Sequence, residues 1–396
     1  MTAEAKPVAL IPSIAGRLGR VRGGLVTGGT VLALVVAMGL TVLGLGAADN
    51  AVASFDASSW LWSAAKSEVA RVNGVTGRVD TRVEVPKGRG HVMQVTQNDR
   101  FLLLRDLNTG RVSSLDLATL QISATMTTTA GLGVSVAMHD DAAFVIDAVQ
   151  GIVRQLDPRS LAPVGEPVRY PPGIAGGYFD GEGRLWIAVP SEGTASAVTP
   201  AKLPSRAASG GTGAGVGPEL VRTVAVADPS HDLVLSALDA GVAVLDRTAG
   251  RLTLVRDDEQ RAVPLPVRGL GTLPPRTDGP QVPVTVPDDR SVHVVGNGGA
   301  VQRFVVPGAG ARLRPAVAWS GRFYCADEST GTVYVFDAFG ALLEKIDVAN
   351  GDGPLDLEVR ESRLFINAPN AATARVVDEK HQIKIVDKYA NDVLGG

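Results

Sequence analysis

One unit recurs along most of this chain, and it limits the fold more than any other feature. Its clearest piece is an alternating strand, a short polar turn, and a second strand opening on a hydrophobic cluster. Seven copies read VTQNDRFLLL, VAMHDDAAFVI, GYFDGEGRLWIA, VAVADPSHDLVLSA, VTVPDDRSVHVVG, VAWSGRFYCA and LEVRESRLFIN. A second turn, usually with glycine, then leads to a strand ending on an acid, as in GRVSSLD, GIVRQLD, GVAVLD, GTVYVFD and TARVVD. A third turn and a fourth strand follow, as in FGALLEKIDV. The second strands are placed at Phe101, Phe144, Leu185, Leu233, Val292, Phe323 and Leu364, at intervals of 43, 41, 48, 59, 31 and 41. An eighth copy lies upstream, where AVASFDASSWLWSAAKSEV parallels AVAWSGRFYCADESTGTVYV and puts a second strand near Trp60. Residues 51–387 thus divide into units of roughly 42, the length of a four-stranded propeller blade.

The expected fold is all-β: a β-propeller of about eight four-stranded blades, or seven if the first or fifth copy is incomplete. Radial stacking covers both faces of each blade and leaves only short edges. Clusters such as Phe101–Leu104 and Leu185–Ala188 suit strands buried on both sides. The acids closing the third strands (Asp116, Asp157, Asp246, Asp337 and Asp378) suit turns, where a carboxylate accepts local backbone N–H bonds. The 46 glycines and 24 prolines supply those turns. Two stretches depart from the pattern. Ser205–Gly217 is a small-residue insertion expected as a loop between blades, and Leu270–Val282 holds three prolines and is expected as an excursion. The unit at Val292 has little room for a fourth strand.

Ahead of the repeat, residues 23–48 carry no charge and are mostly apolar. That is long enough for a helix crossing a bilayer core of about 30 Å. Lys6, Arg17, Arg20 and Arg22 precede it, and Asp49 and Asp56 follow. The positive-inside rule then gives a cytoplasmic basic tail (1–22), a transmembrane signal anchor (23–48), an extracellular propeller (49–390) and a C-terminal tail (391–396). A cleaved signal peptide is the alternative, since Ala51-Val52-Ala53 offers a small-x-small site. A net charge of −3 gives no reason to seek nucleic acid, and one cysteine, Cys325, excludes an internal disulfide framework.

Motifs for chemistry are scarce. There is no GxSxG and no GxxxxGK[ST]. The five histidines lack HxxxH or HExxH spacing. His139 and His231 are read as equivalent members of first turns, and His91 lies in the GRGH loop entering the inner strand of the second blade. Turns between second and third strands share a face with the inter-blade loops. They place Asp106, Asn108, Asp147, Gln150, Glu192, Asp239, Asn297, Asp327, Glu328 and Asn370 around one channel mouth. Arg89, His91, Asp106, Asp147, Glu192 and Asp327 are the candidate ligand-binding rim, with no catalytic, cofactor or metal residue assigned. Trp60, Trp62, Trp186 and Trp319 are read as core.

The units YVFDAFGALLEKIDV, VRQLDPRSLAPVGEPV and RLWIAVPSEGTASAV resemble the NHL/YVTN-like propeller superfamily over about residues 51–388. Basic tail, anchor, the WLWS…ARVNGVTGRVD first blade and the closing KIVDKYANDVLGG together resemble the membrane-anchored propeller region of actinobacterial fibronectin type III domain-containing cell-surface proteins. The resemblance implies a propeller at the cell surface and leaves its chemistry open, because the same fold hosts lyases, lactonases, dehydrogenases and scaffolds. Two functions are therefore carried forward. One is a non-catalytic extracellular binding module, held in the lipid bilayer through residues 23–48, with a protein or cell-wall partner and no cofactor. The other is a metal-assisted lyase or hydrolase, which needs His91 to converge with acids such as Asp106 or Glu192 at the channel mouth.

Overall fold

A computed structural model describes residues 57–203, 217–267, 269–391 and 393. The tail, the apolar segment 23–48 and residues 51–56, where the repeats are expected to begin, lie outside the described residues. No helix among the described residues is long and apolar enough to cross a membrane.

Among the described residues eight antiparallel sheets follow one another along the chain, each a meander in sequence order. Blade 1 holds β1 (Ser58–Ser63), β2 (Glu68–Asn73) and β3 (Arg78–Glu84). Blade 2 holds β4 (Met93–Gln97), β5 (Phe101–Asp106), β6 (Arg111–Asp116) and β7 (Gln121–Thr127). In blade 3 come β8 (Val134–His139), β9 (Ala142–Asp147), β10 (Ile152–Leu156) and β11 (Val168–Arg169). Blade 4 is β12 (Ala175–Phe179), β13 (Leu185–Val189), β14 (Thr194–Thr199) and β15 (Glu219–Ala225). Blade 5 is β16 (Leu233–Ala237), β17 (Val242–Asp246), β18 (Arg251–Arg256) and β19 (Glu259–Pro264). Blade 6 has β20 (Gln281–Val286), β21 (Ser291–Gly296) and β22 (Val301–Val305). Blade 7 has β23 (Val317–Trp319), β24 (Arg322–Asp327), β25 (Thr332–Asp337) and β26 (Leu342–Asp347). Blade 8 ends the ring with β27 (Asp356–Arg360), β28 (Arg363–Asn367), β29 (Thr373–Asp378) and β30 (Ile383–Asp387).

The core is a circle of thin layers between neighbouring blades. Between blades 3 and 4, Phe144, Ile146 and Val153 meet Leu185, Ile187 and Val198. Leu61, Ala70 and Val72 of blade 1 meet Phe365, Ala374 and Val376 of blade 8, which closes the circle. Second strands are sandwiched between two such layers, so β5 and β13 are buried at every position. Outer strands have one face in solvent, and β7 and β15 are largely exposed. Trp60, Trp62, Trp186 and Trp319 are all core. Burying each such side chain stabilises the ring by about 1.5–3 kcal/mol.

The phase of blades 5 and 6 differs from the sequence reading. Leu233 opens the inner strand of blade 5, not its second, and the second strand is β17. Asp246 therefore ends a second strand, while Asp116, Asp157, Asp337 and Asp378 end third strands as expected. In blade 6 the inner position falls on the proline-containing stretch. Thr272 N donates to Thr285 O at 2.7 Å, Thr285 N donates back at 3.0 Å, and Leu273 is buried between blades 5 and 6. Pro274 and Pro275 have no N–H to donate, so the pairing shrinks to one bridge and no strand forms. Val292 thus belongs to a third strand, and the strand blade 6 lacks is the inner one. The insertion around Ser205–Gly217 connects β14 to β15, third to fourth strand of one blade rather than two blades. With the phase corrected, second strands start at Ser58, Phe101, Ala142, Leu185, Val242, Gln281, Arg322 and Arg363, a near-constant step broken only by that insertion.

Candidate functional site

The inter-blade loops and the second-to-third-strand turns form what we term the upper face; the other turns form the lower face. A shared turn chemistry builds the upper face. Asp106, Asp147, Asp246 and Asp327 each end a second strand, and each accepts backbone N–H bonds from its own turn through Oδ1. Four residues on comes a glycine with positive φ (Gly110, Gly151, Gly250, Gly331). A Cβ on Gly110 would lie 2.1 Å from Thr128 O, so both conformation and space demand glycine there.

His91 lies where the sequence placed it, in the loop entering β4, with its Nδ1 2.8 Å from Asp106 Oδ2. Thr109 Oγ1 donates to the same oxygen at 2.7 Å. Burial pushes the Asp106 carboxyl up, but hydrogen bonds from Thr109, His91 and Asn108 outweigh it and hold its pKa below the ordinary value. Blade 5 repeats the device: His231 Nδ1 lies 2.8 Å from Asp246 Oδ2, at the same separation in sequence. His231 is therefore the counterpart of His91. His139, read as its equivalent, ends β8 on the lower face and stacks on Phe179.

The couple, repeated three blades apart, ties the entering loop to the turn of its own blade in both places. His91→Ala and His231→Ala should each lower stability by about 1–2 kcal/mol, measured by chemical denaturation. A loss confined to one of them would assign that histidine a separate role.

The six predicted rim residues share the upper face: Arg89, His91, Asp106 and Asp147 lie in its blade 2 and blade 3 sector, Glu192 on blade 4 and Asp327 on blade 7. Asp106 and Asp327 are buried and committed to neighbours; Asp327 Oδ2 accepts from Arg290 Nη2 at 2.7 Å. Arg89 and Glu192 are exposed, while His91 and Asp147 are half-buried. Glu192 sits in the turn of blade 4, two blades from His91, 3.5 Å from Thr194 Oγ1. Asp239 and Asn297, expected on the same rim, occupy lower-face turns because of the phase of blades 5 and 6. Among the described residues no three metal-ligating side chains converge.

The sequence reading missed a cluster around Glu358. Ser59 Oγ donates to its Oε2 at 2.7 Å, and Gln97 Nε2 lies 3.0 and 2.9 Å from its two oxygens. Burial pushes the Glu358 carboxyl up, against the Ser59 hydrogen bond and the Arg360 charge. Gln97 Oε1 accepts from Trp60 N at 2.9 Å, and Arg360 Nε donates to Ser58 O at 2.9 Å. These side chains join blades 8 and 2 across the inner edge of β1. Below them opens a cavity of about 550 Å³, lined by Gln97, Asp99, Arg100, His139, Asp141 and Arg360. Most of its charges are already paired, Arg360 with Asp99 and Arg100 with Asp141. The signal was present in DLEVR, where Asp356, Glu358 and Arg360 alternate with Leu357 and Val359, which are partly buried against the core.

No family model matches the chain, and no curated protein matches it significantly. Among solved structures it is similar to BamB from Moraxella catarrhalis, with TM-score 0.54 and 16% identity over 83% of this chain and 91% of that one. The computationally designed Ika8 protein gives TM-score 0.54 and 13% identity over 82% and 91%. Dihydro-heme d1 dehydrogenase NirN gives TM-score 0.54 and 15% identity over 83% and 72%. At these identities the likeness concerns the fold alone.

Proposed function

We propose that the chain is a membrane-anchored extracellular propeller acting as a non-catalytic binding module for a protein or cell-wall partner. The observation that carries this reading is the dispersal of the upper-face polar groups. Asp106 and Asp327 are spent on structure; of the accessible residues, Arg89 and His91 share one loop, while Asp147 and Glu192 stand on blades 3 and 4, and no three metal-ligating groups converge among the described residues. The fold itself is neutral: a designed protein and a dehydrogenase are both similar to it. The anchor and its orientation rest on the apolar stretch 23–48 and its flanking charges.

Protease treatment of intact cells should release the propeller, and affinity capture with the tagged full chain from intact envelopes should repeatedly enrich a specific partner. A propeller protected from protease would contradict the orientation. Capture indistinguishable from an untagged control would remove the binding-module reading.

A further inference from the structure

We infer that the upper face of blades 2 and 3 is a docking surface for a protein segment that is both acidic and apolar; this rests on the binding-module reading and names its surface. Val92, Leu132 and Val149 are 61%, 86% and 67% exposed. They are neighbours in space although they come from three connections. Leu107 N donates to Val92 O at 2.9 Å, and Gly131 N donates to Leu107 O at 2.8 Å. Ala148 N donates to Gly133 O at 2.9 Å, and a Cβ on Gly133 would lie 2.8 Å from Val149 Cγ2. The three side chains are thus presented by adjoining, hydrogen-bonded connections of the upper face, an apolar surface we term the ridge.

The ridge is held rigidly. Arg105 is buried beneath it, and its Nη2 donates to Thr129 O and Gly131 O, both at 2.8 Å. A buried guanidinium costs several kcal/mol unless its N–H groups are engaged, and here they hold the loop that carries Leu132. Asn108 Oδ1 likewise accepts from Val92 N at 2.9 Å. A surface fixed before binding loses little conformational freedom when a partner arrives.

Charge selects the partner. Lys87, Arg89 and Arg169 are exposed around the ridge, and Arg111 is half-buried with Nη2 on Pro86 O at 2.6 Å. Against them stand Glu84 and the half-buried Asp147, while Asp106 is buried and paired with His91. An excess of cations beside aliphatic side chains complements acidic residues interleaved with apolar ones. The three side chains that form the ridge are aliphatic, where a bilayer interface favours Trp and Tyr, which disfavours a lipid surface.

The test uses the full chain in phosphatidylcholine nanodiscs and three probes: a short amphipathic Leu/Glu helix, its Ser/Glu counterpart, and phosphatidylglycerol vesicles. The Leu/Glu peptide should bind, as read by fluorescence anisotropy, and the other two should not. Leu132→Ser with Val149→Ser should weaken binding at least about tenfold. Lys87→Glu with Arg89→Glu should weaken it comparably and flatten its salt dependence. Equal binding by the Ser/Glu peptide or the vesicles would make this a polyanion or lipid site and overturn the proposal. Unchanged affinity in both variants, or no binding by the Leu/Glu peptide, would also overturn it. Should the envelope partner be captured equally by wild type and the Leu132/Val149 variant, the ridge fails while the binding-module reading stands.

Discussion

Asp327→Asn should cost the propeller about 3–5 kcal/mol, a large part of the stability of an ordinary domain. Asp327 is buried at the top of blade 7, and its partner Arg290 is buried at the top of blade 6. Arg290 occupies the turn position where blades 2, 3, 5 and 7 have glycine, and it keeps the left-handed conformation at φ 50°. Its backbone O accepts from Val306 N at 2.7 Å, as Gly110 O does from Thr128 N at 2.8 Å. An arginine held there costs about 1 kcal/mol of backbone strain. What offsets the strain is the side chain, which donates to Val306 O, Pro307 O and Gly310 O and to the Asp327 carboxylate. Asparagine preserves the acceptor for Ser329 N but removes the charge and turns donors toward the guanidinium. A drop in the denaturation midpoint is the readout. Arg290→Gly should also destabilise, by leaving Asp327 buried and unpaired. The double variant should cost clearly less than the sum of the two, because each single breaks the same pair and leaves the other member buried without its partner. Additive costs would mean the two groups act independently, and an unaffected Asp327→Asn would return Asp327 to the rim as a ligand group.

The same turn explains how far the sequence could be read. The repeat, the count of eight and the core tryptophans follow from hydrophobic clusters, which β5, β9, β13, β24 and β28 display plainly. Phase in blades 5 and 6 does not follow from them. LVLSA and VAVLD are both apolar and both bounded by turn residues, so period and composition fit either as the second strand. The better marker is an acid followed four residues later by a left-handed glycine, because the third-strand acids Asp116 and Asp157 are followed there by left-handed leucines, Leu120 and Leu161. Asp246 and Gly250 satisfy it, which fixes β17 as second. In blade 6 the marker is hidden because arginine replaces the glycine and valine the acid. The Glu358 cluster was harder for another reason: its partners Ser59 and Gln97 lie hundreds of residues away and meet it only because the ring closes. Long-range closure leaves no local pattern, whereas the alternation in DLEVR did mark a polar face without naming what it faces.

Ring closure also sets the pH dependence expected of this protein. Lys388, fully buried at the end of β30, donates through Nζ to Asn367 Oδ1 at 2.9 Å and Ala368 O at 2.8 Å. Asn367 Nδ2 in turn donates to Trp62 O of blade 1 at 3.0 Å, and the Tyr389 hydroxyl lies 2.8 Å from Ser63 Oγ. Burial lowers the Lys388 pKa to about 8 from 10.5, against the attraction of Asp356 and Glu68. The folded pKa lies below the unfolded one, so between those two values the unfolded chain binds more protons and stability rises with pH. Below about pH 8 both states are charged and the full cost of the buried ammonium is felt; above the unfolded value it is gone. The size follows from the shift, about 3 kcal/mol. Structure agrees with chemistry here, since a neutral amine has two N–H donors and the pocket offers it two acceptors. In Lys388→Met that rise should vanish, while the other lysines and tyrosines titrate alike in both proteins and cancel in the difference. At pH 7 the two should differ less, because methionine removes the buried charge but leaves Asn367 Oδ1 and Ala368 O without a donor, and those effects oppose. Stability–pH curves that run parallel for the two proteins from pH 7 to above the unfolded lysine value would show that Lys388 is not held as a depressed base in the latch between blades 8 and 1.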